Sequence, residues 1–289
     1  MKCIIVESFD DLLSNVKAVH EEWQHPPTVW FRGEPTVTPT PLTPKVFRLD
    51  YPENNLLQRF RMKAPTLSPG GTPSKRDTDE WLFLAQHMGL PTRLLDWTES
   101  LLAAVHFSLL ERDKGSSIWM LHPLELNRRA TGKTAFDLTW LAPEFDVSSW
   151  IGVLLEPDRR LSKPRDNYLA RLAARLRYRR PRTNFANINI RGAWENDRIG
   201  TALPVAIYPT SIHPRIATQK SCFTIHRKSH PRLDSALDEK ALIKFEIAYP
   251  GADSIKNDLR LLGFTHSTVF PDLEGLAREL EEQYRPKPS

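Results

Sequence analysis

Cysteine is scarce in this chain. Its 289 residues include two, Cys3 and Cys222, so no disulfide framework and no Cys-rich zinc site can be built from them. Long apolar runs are missing as well. None approaches the roughly 20 residues needed to cross a bilayer, and the opening MKCIIVESFDDLL places acids directly after a short apolar stretch. It has no apolar core or small-residue cleavage site of a leader peptide, and a cytoplasmic protein with no membrane partner is expected. Several chemical signatures are absent too. The sequence holds no GxxxxGK[ST] phosphate loop, no GxGxxG after a strand, no HExxH, no GxSxG and no Cys/His set at metal spacing. P-loop, Rossmann, α/β-hydrolase and metal-dependent hydrolase chemistries are set aside on that ground, and no metal is expected.

What is present is the composition of a globular protein, 40% hydrophobic and 26% charged with a net charge of +5. Much of the positive charge is local. Arg165, Arg171, Arg175, Arg177, Arg179, Arg180, Arg182 and Arg191 share one segment with a single acid, Asp166. Tyr168, Leu169, Leu172 and Leu176 recur at helical spacing there, which predicts an amphipathic helix over 166–180. Its basic face, with Tyr178 and Phe185 interleaved, suits nucleic acid or another polyanion, held by Arg171, Arg175, Arg179 and Arg180. A solvated helix face is the alternative use of such a charge run.

Periodicity predicts a helix from the Ser8 cap to about Gln24, with Leu12, Leu13, Val16, Val19 and Trp23 on one face. The run Thr28-Val29-Trp30-Phe31 predicts a strand, and prolines 35, 39, 41 and 44 predict an extended loop after it. Glu53 to Lys63 reads as a short helix. Asp79 to Met88 reads as a helix stopped by Gly89, then a turn PTRLLDW, a second helix from about Thr98 to Arg112, and a strand at 117–121. Further strands are expected at 202–208, 222–226 and 241–249, and helices at 254–262 and 272–283. Helices and strands interleave irregularly, with no repeat. The expectation is therefore one α+β domain with a central antiparallel or mixed sheet flanked by helices. Residues 1–24 supply an N-terminal helix packed on a domain of 25–282, which carries a basic insertion at about 160–191. A frayed tail follows over 283–289.

Trp30-Phe-Arg-Gly-Glu34 resembles the Phe-Arg-Gly motif that names the FRG domain family. The block Trp81-Leu-Phe-Leu-Ala-Gln-His-Met-Gly-Leu-Pro-Thr-Arg-Leu-Leu-Asp-Trp-Thr98, continued through Ala103 and Phe107, is similar to that family's longest block. His213 to Gln219 with Phe223-Thr224, and Thr268 to Leu276, resemble its later segments. One departure is that Lys220-Ser221-Cys222 follows Gln219 where the family usually has a glycine. The resemblance implies a bacterial or phage protein of the toxin–antitoxin or defence type, with an antitoxin or defence partner. It further implies a general plan related to ADP-ribosyltransferases, and so NAD as co-substrate with transfer of ADP-ribose to a protein or nucleic acid.

On that basis Arg32, Gly33, Arg93 and Gln219 are candidates for holding NAD, and Glu34, His87 and Glu246 for catalysis. Asp96 and Trp97 support the site. Each has a plainer use. Arg32 and Glu34 can close a strand end as an ion pair, His87 can sit at a helix C-terminus, Arg93 can bond Asp96 across the turn, and Asp96 can cap the helix near Thr98. Glu246, on the polar face of a late strand, can simply face solvent. A nucleic-acid-binding or nuclease-like module and a non-catalytic ligand sensor remain the alternatives.

Overall fold

Strand alternation decides how the layers stack. In β7 (Leu242–Ile247), Ile243, Phe245 and Ile247 are buried on one side while Lys244 and Glu246 interrupt the other, the pattern of a pleated strand with one face in a core. The computed structural model describes residues 2–35, 41–68, 71–74, 78–110, 116–131, 203–209, 218–229, 232–248 and 251–285. Their strands are β1 (Lys2–Val6), β2 (Trp30–Glu34), β3 (Leu94–Thr98), β4 (Ser116–Leu121), β5 (Val205–Ile207), β6 (Ser221–Ile225) and β7. They form one mixed sheet in the order β1-β7-β4-β2-β3-β6-β5. β1 runs parallel to β7, and every other neighbouring pair is antiparallel. The fold is α+β, as the sequence predicts.

The helices are α1 (Phe9–Glu22), α2 (Lys45–Arg48), α3 (Glu53–Leu67), α4 (Thr78–His87), α5 (Leu101–Ser108), α6 (Pro123–Thr131), α7 (Gly251–Leu261), α8 (His266–Val269) and α9 (Leu273–Gln283). Ser8 caps α1 by accepting from the Asp11 amide at 3.1 Å, and Asp272 caps α9 by accepting from the Gly275 amide at 2.8 Å. Gly89, at φ +79°, ends α4 in the left-handed conformation that glycine adopts without strain.

One face of the sheet is covered by two separate groups of helices. α1, α5 and α7 pack on Val6, Phe31, Ile118, Met120, Ile243 and Phe245. Leu57 of α3 with Leu82 and Phe83 of α4 pack on Leu94, Phe223, Ile225, Val205 and Ile207. The opposite face is a tryptophan-rich core in which Trp30, Trp97 and Trp119 meet Leu42, Leu126, Leu233 and Leu237.

Three local expectations are corrected. The N-terminus opens with a strand, β1, that extends the sheet edge beside β7 before α1 begins. Leu94–Thr98 is a strand and not a turn, because Leu95 and Trp97 bury on one face while Leu94 and Thr98 bury on the other. The helix that follows starts later than expected, at Leu101, and its N-cap is Ser100, whose hydroxyl accepts from the Ala103 amide at 3.2 Å. Asp96 therefore caps nothing; it lies within β3.

Candidate functional site

β2 and β3 are neighbours in the sheet but share a single register pair, Phe31 with Thr98. On its other side β2 pairs with β4 along its whole length, Trp30 to Glu34. Past Phe31 the ladder to β3 lapses, and a side chain takes its place. Arg32 Nη1 donates to the Asp96 carbonyl at 2.9 Å, and its Nε donates to Glu34 Oε1 at 3.2 Å. A cleft of about 300 Å³ opens at this parting of the strands.

The cleft lies between the two groups of helices. Its floor is Gly33, Asp96, Thr98, Ser221 and Phe223, one wall is Gln86 and His87 from the end of α4, and the other is Phe107 of α5 with Phe270 just after α8. The rings of Phe107 and Phe270 meet edge to face with centroids 6.0 Å apart. Gln219 secures the second wall: its Nε2 donates to the Val269 carbonyl at 3.1 Å, while its backbone carbonyl accepts from Thr98 Oγ1 at 2.6 Å. Four segments distant in sequence thus converge on one opening.

Asp96 is the acidic side chain that lines the cleft. It is reached by solvent at the mouth yet hemmed in by protein on its flanks. That loss of hydration raises its pKa above the ordinary carboxylate value, against the opposing pull of Arg32 and of a hydrogen bond from Gln86. Gln86 Nε2 donates to Asp96 Oδ2 at 2.7 Å. Arg32 is the cationic side chain at the same opening, and its Nη2 has no hydrogen-bond partner among the described residues.

Of the residues singled out from the sequence, Arg32, Gly33, His87, Asp96, Trp97 and Gln219 all line the cleft. Arg93, Glu34 and Glu246 do not. Arg93 is buried in an ion pair with Glu53, 2.7 Å from Nη2 to Oε2, and not with Asp96. Glu34 is buried on the opposite face of the sheet, where it accepts from Arg32 Nε and, through Oε2, from Trp119 Nε1 at 3.1 Å. Glu246 lies two strands away from β2, paired with Lys244 at 3.1 Å. Gly33 serves helix packing: a Cβ there would lie 1.9 Å from the Ala104 carbonyl oxygen of α5. Arg171, Arg175, Arg179 and Arg180 lie outside the described residues. Gln86 was not singled out from the sequence, because its partner Asp96 lies on another element and no local spacing links them.

Residues 27–117 match the family model of the FRG domain. The chain carries an FRG domain. No curated protein and no solved structure matches the chain. The FRG match takes in β2, α4, β3 and α5, and so most of the cleft; Gln219, Ser221, Phe223 and Phe270 are brought to it from beyond residue 117. Among the described residues no helix is long and apolar enough to cross a membrane, and no group of three or more His, Cys, Asp or Glu is placed to hold a metal ion.

The second wall also carries a pair of histidines. His106 Nε2 and His266 Nδ1 are 3.3 Å apart. Burial first, and then the proximity of His266 and Lys256, hold His106 down to about 4 against the pull of Glu282 and Glu279; burial lowers His266 too. An unfolded His106 takes up a proton near pH 6.5, whereas the folded one waits until about pH 4. Between those values the unfolded state binds more protons, so stability falls as pH drops and levels off below about pH 4. Urea titrations at pH 7 and pH 4.5 are expected to show a loss that His106→Phe reduces by roughly 2 kcal/mol, allowing for residual solvent contact. An unchanged pH dependence in that variant would refute the assignment.

Proposed function

We propose that the cleft of the FRG domain binds NAD and that the protein transfers ADP-ribose from it to a macromolecular target. The observation that carries this reading is the meeting, at one opening, of a carboxylate (Asp96), a guanidinium with an unused Nη2 (Arg32) and a wall of two phenylalanine rings set edge to face (Phe107 and Phe270). A volume of about 300 Å³ is at the lower end for small-molecule sites. It accommodates a nucleoside-sized half of a dinucleotide, with the phosphates left at the mouth beside Arg32.

The chemistry assigns each group a role. The aromatic wall and the Gln219 carboxamide receive the nicotinamide ring and its amide, and Arg32 Nη2 donates to a phosphate oxygen. Asp96 accepts from ribose hydroxyls and faces the positive charge that develops at the anomeric carbon. The bond between that carbon and the nicotinamide nitrogen breaks, neutral nicotinamide leaves with the bonding electron pair, and the target's nucleophile takes the ribosyl carbon. His87, which lines the cleft, accepts the proton that the nucleophile loses. Acting in a cell, such a transfer accounts for a toxin or phage-defence effector.

Titration calorimetry with NAD tests the reading. Wild type is expected to bind, and Arg32→Ala to weaken binding by about 10- to 100-fold, the worth of a charge-assisted hydrogen bond. Asp96→Asn is expected to abolish nicotinamide release while leaving the fold intact. Absence of NAD binding by the wild-type protein, together with no NAD consumption in the presence of RNA, DNA and cell lysate, would overturn it. Binding without turnover would leave a ligand sensor.

A further inference from the structure

Behind Asp96 stands a relay that ligand contact alone does not explain. Thr92 is fully buried between α4 and β3. Its hydroxyl donates to Gln86 Oε1 at 2.5 Å and accepts from the Leu94 amide at 3.1 Å. Because its one proton goes to Gln86, the carboxamide is oriented: Oε1 faces Thr92 and Nε2 faces Asp96 Oδ2 at 2.7 Å. Arg32 contributes a backbone contact only, to the Asp96 carbonyl. One carboxylate oxygen is therefore tied by a directed donor, and the carboxyl plane is fixed relative to the cleft.

The relay has a polarity. An ionised Asp96 only accepts, which matches the Nε2–H facing it. A proton on Oδ2 would set two donors against each other, so a protonated Asp96 keeps this bond only with its proton on Oδ1, and the bond is stronger to the charged carboxylate. The other groups bearing on that charge are Arg32 of β2, which favours it, and Cys222 of β6, whose thiol burial keeps protonated. His87 of α4 lines the same cleft.

We propose that Gln86, locked by Thr92, is the positioning residue of the cleft: it fixes the Asp96 carboxylate so that its remaining acceptor capacity meets hydroxyl donors, and the cleft accepts a ribosyl diol only while that carboxylate is charged. This rests on the NAD reading for the identity of the ligand. The relay itself does not.

Two measurements separate them. The first follows the Asp96 carboxyl carbon by NMR through a pH titration of the free protein. Gln86→Met, of similar length but without a donor, is expected to move the Asp96 midpoint to higher pH, and Thr92→Val to move it the same way by less. An unmoved midpoint in Gln86→Met overturns the proposal whatever the ligand is. The second titrates nicotinamide riboside across pH. Gln86→Met is expected to bind about tenfold more weakly at pH 7 and to lose binding at a higher pH than wild type. Weaker binding by a constant factor at every pH would mean that Gln86 only supports the fold, and would also overturn the proposal. If wild type ignores nicotinamide riboside while the carboxyl midpoint shifts as expected, the NAD reading fails and the relay stands.

Discussion

Replacing Gly33 with alanine is expected to cost about 3 kcal/mol or more, at the upper end of what overpacking does. The added Cβ would lie 1.9 Å from the carbonyl oxygen of Ala104 and 2.6 Å from the amide nitrogen of Ser108. Both are backbone atoms of α5, so no side chain can rotate out of the way. The helix itself would have to lift, and it is the element that buries Ala103, Ala104 and Val105 against the sheet. Domains of ordinary stability have about 5–15 kcal/mol in all, so the variant is expected to unfold at a much lower urea concentration or to be recovered unfolded. A stability within about 1 kcal/mol of wild type would show that α5 does not pack this closely on β2.

The effect bears on the cleft as well as on stability. α5 carries Phe107, and Gly33 is the contact that lets the helix close on β2 at the point where β2 parts from β3. The glycine of the Phe-Arg-Gly motif is thus tied to helix approach, while the arginine before it spans the gap between the strands. The two residues adjoin because one strand position faces the helices and the next faces the opposite side.

Those alternations also explain what was legible in the sequence. Ser8 and Asp272 act within four residues of themselves, and Ile243, Phe245 and Ile247 repeat with period two; such signals survive without tertiary context. β3 did not survive it. Leu-Leu-Asp-Trp-Thr carries an acid at its centre and follows Pro91 closely, so it resembles a turn until β6 pairs with it from Leu94 to Thr98. Asp96 interrupts the strand's apolar face because that face opens into the cleft there. The site's converging residues were partly visible through motif resemblance, but Gln86 and Phe270 answer to contacts between elements that no local period encodes.

Arg93 makes the same point with the second large effect. It sits next to the motif residues Asp96 and Trp97, and local spacing favoured a bond to Asp96. The fold delivers Glu53 from 40 positions away. Glu53 Oε1 accepts from the Arg93 amide at 2.8 Å, and Oε2 accepts from Nε at 2.8 Å and pairs with Nη2 at 2.7 Å. Each side chain is only 7% exposed, and the guanidinium also stands over the Phe47 ring at 5.9 Å. Removing one partner strands the other as a buried charge, so Arg93→Ala is expected to lose about 3–5 kcal/mol in urea unfolding. Glu53→Gln should lose less, since its amide oxygen still accepts from the Arg93 backbone. The double variant Glu53→Leu with Arg93→Met should fall well short of the sum of its single changes, because it leaves no unpaired charge, although the Arg93 amide still lacks its acceptor. Ligand measurements complete the distinction. Arg93 stands outside the cleft, so the folded fraction of Arg93→Met should bind NAD like wild type, whereas the folded fraction of Arg32→Ala should bind weakly, and that variant too should lose stability because Glu34 is left buried without its cation. Additive single changes, or NAD binding lost with Arg93 at unchanged stability, would return Arg93 to the ligand.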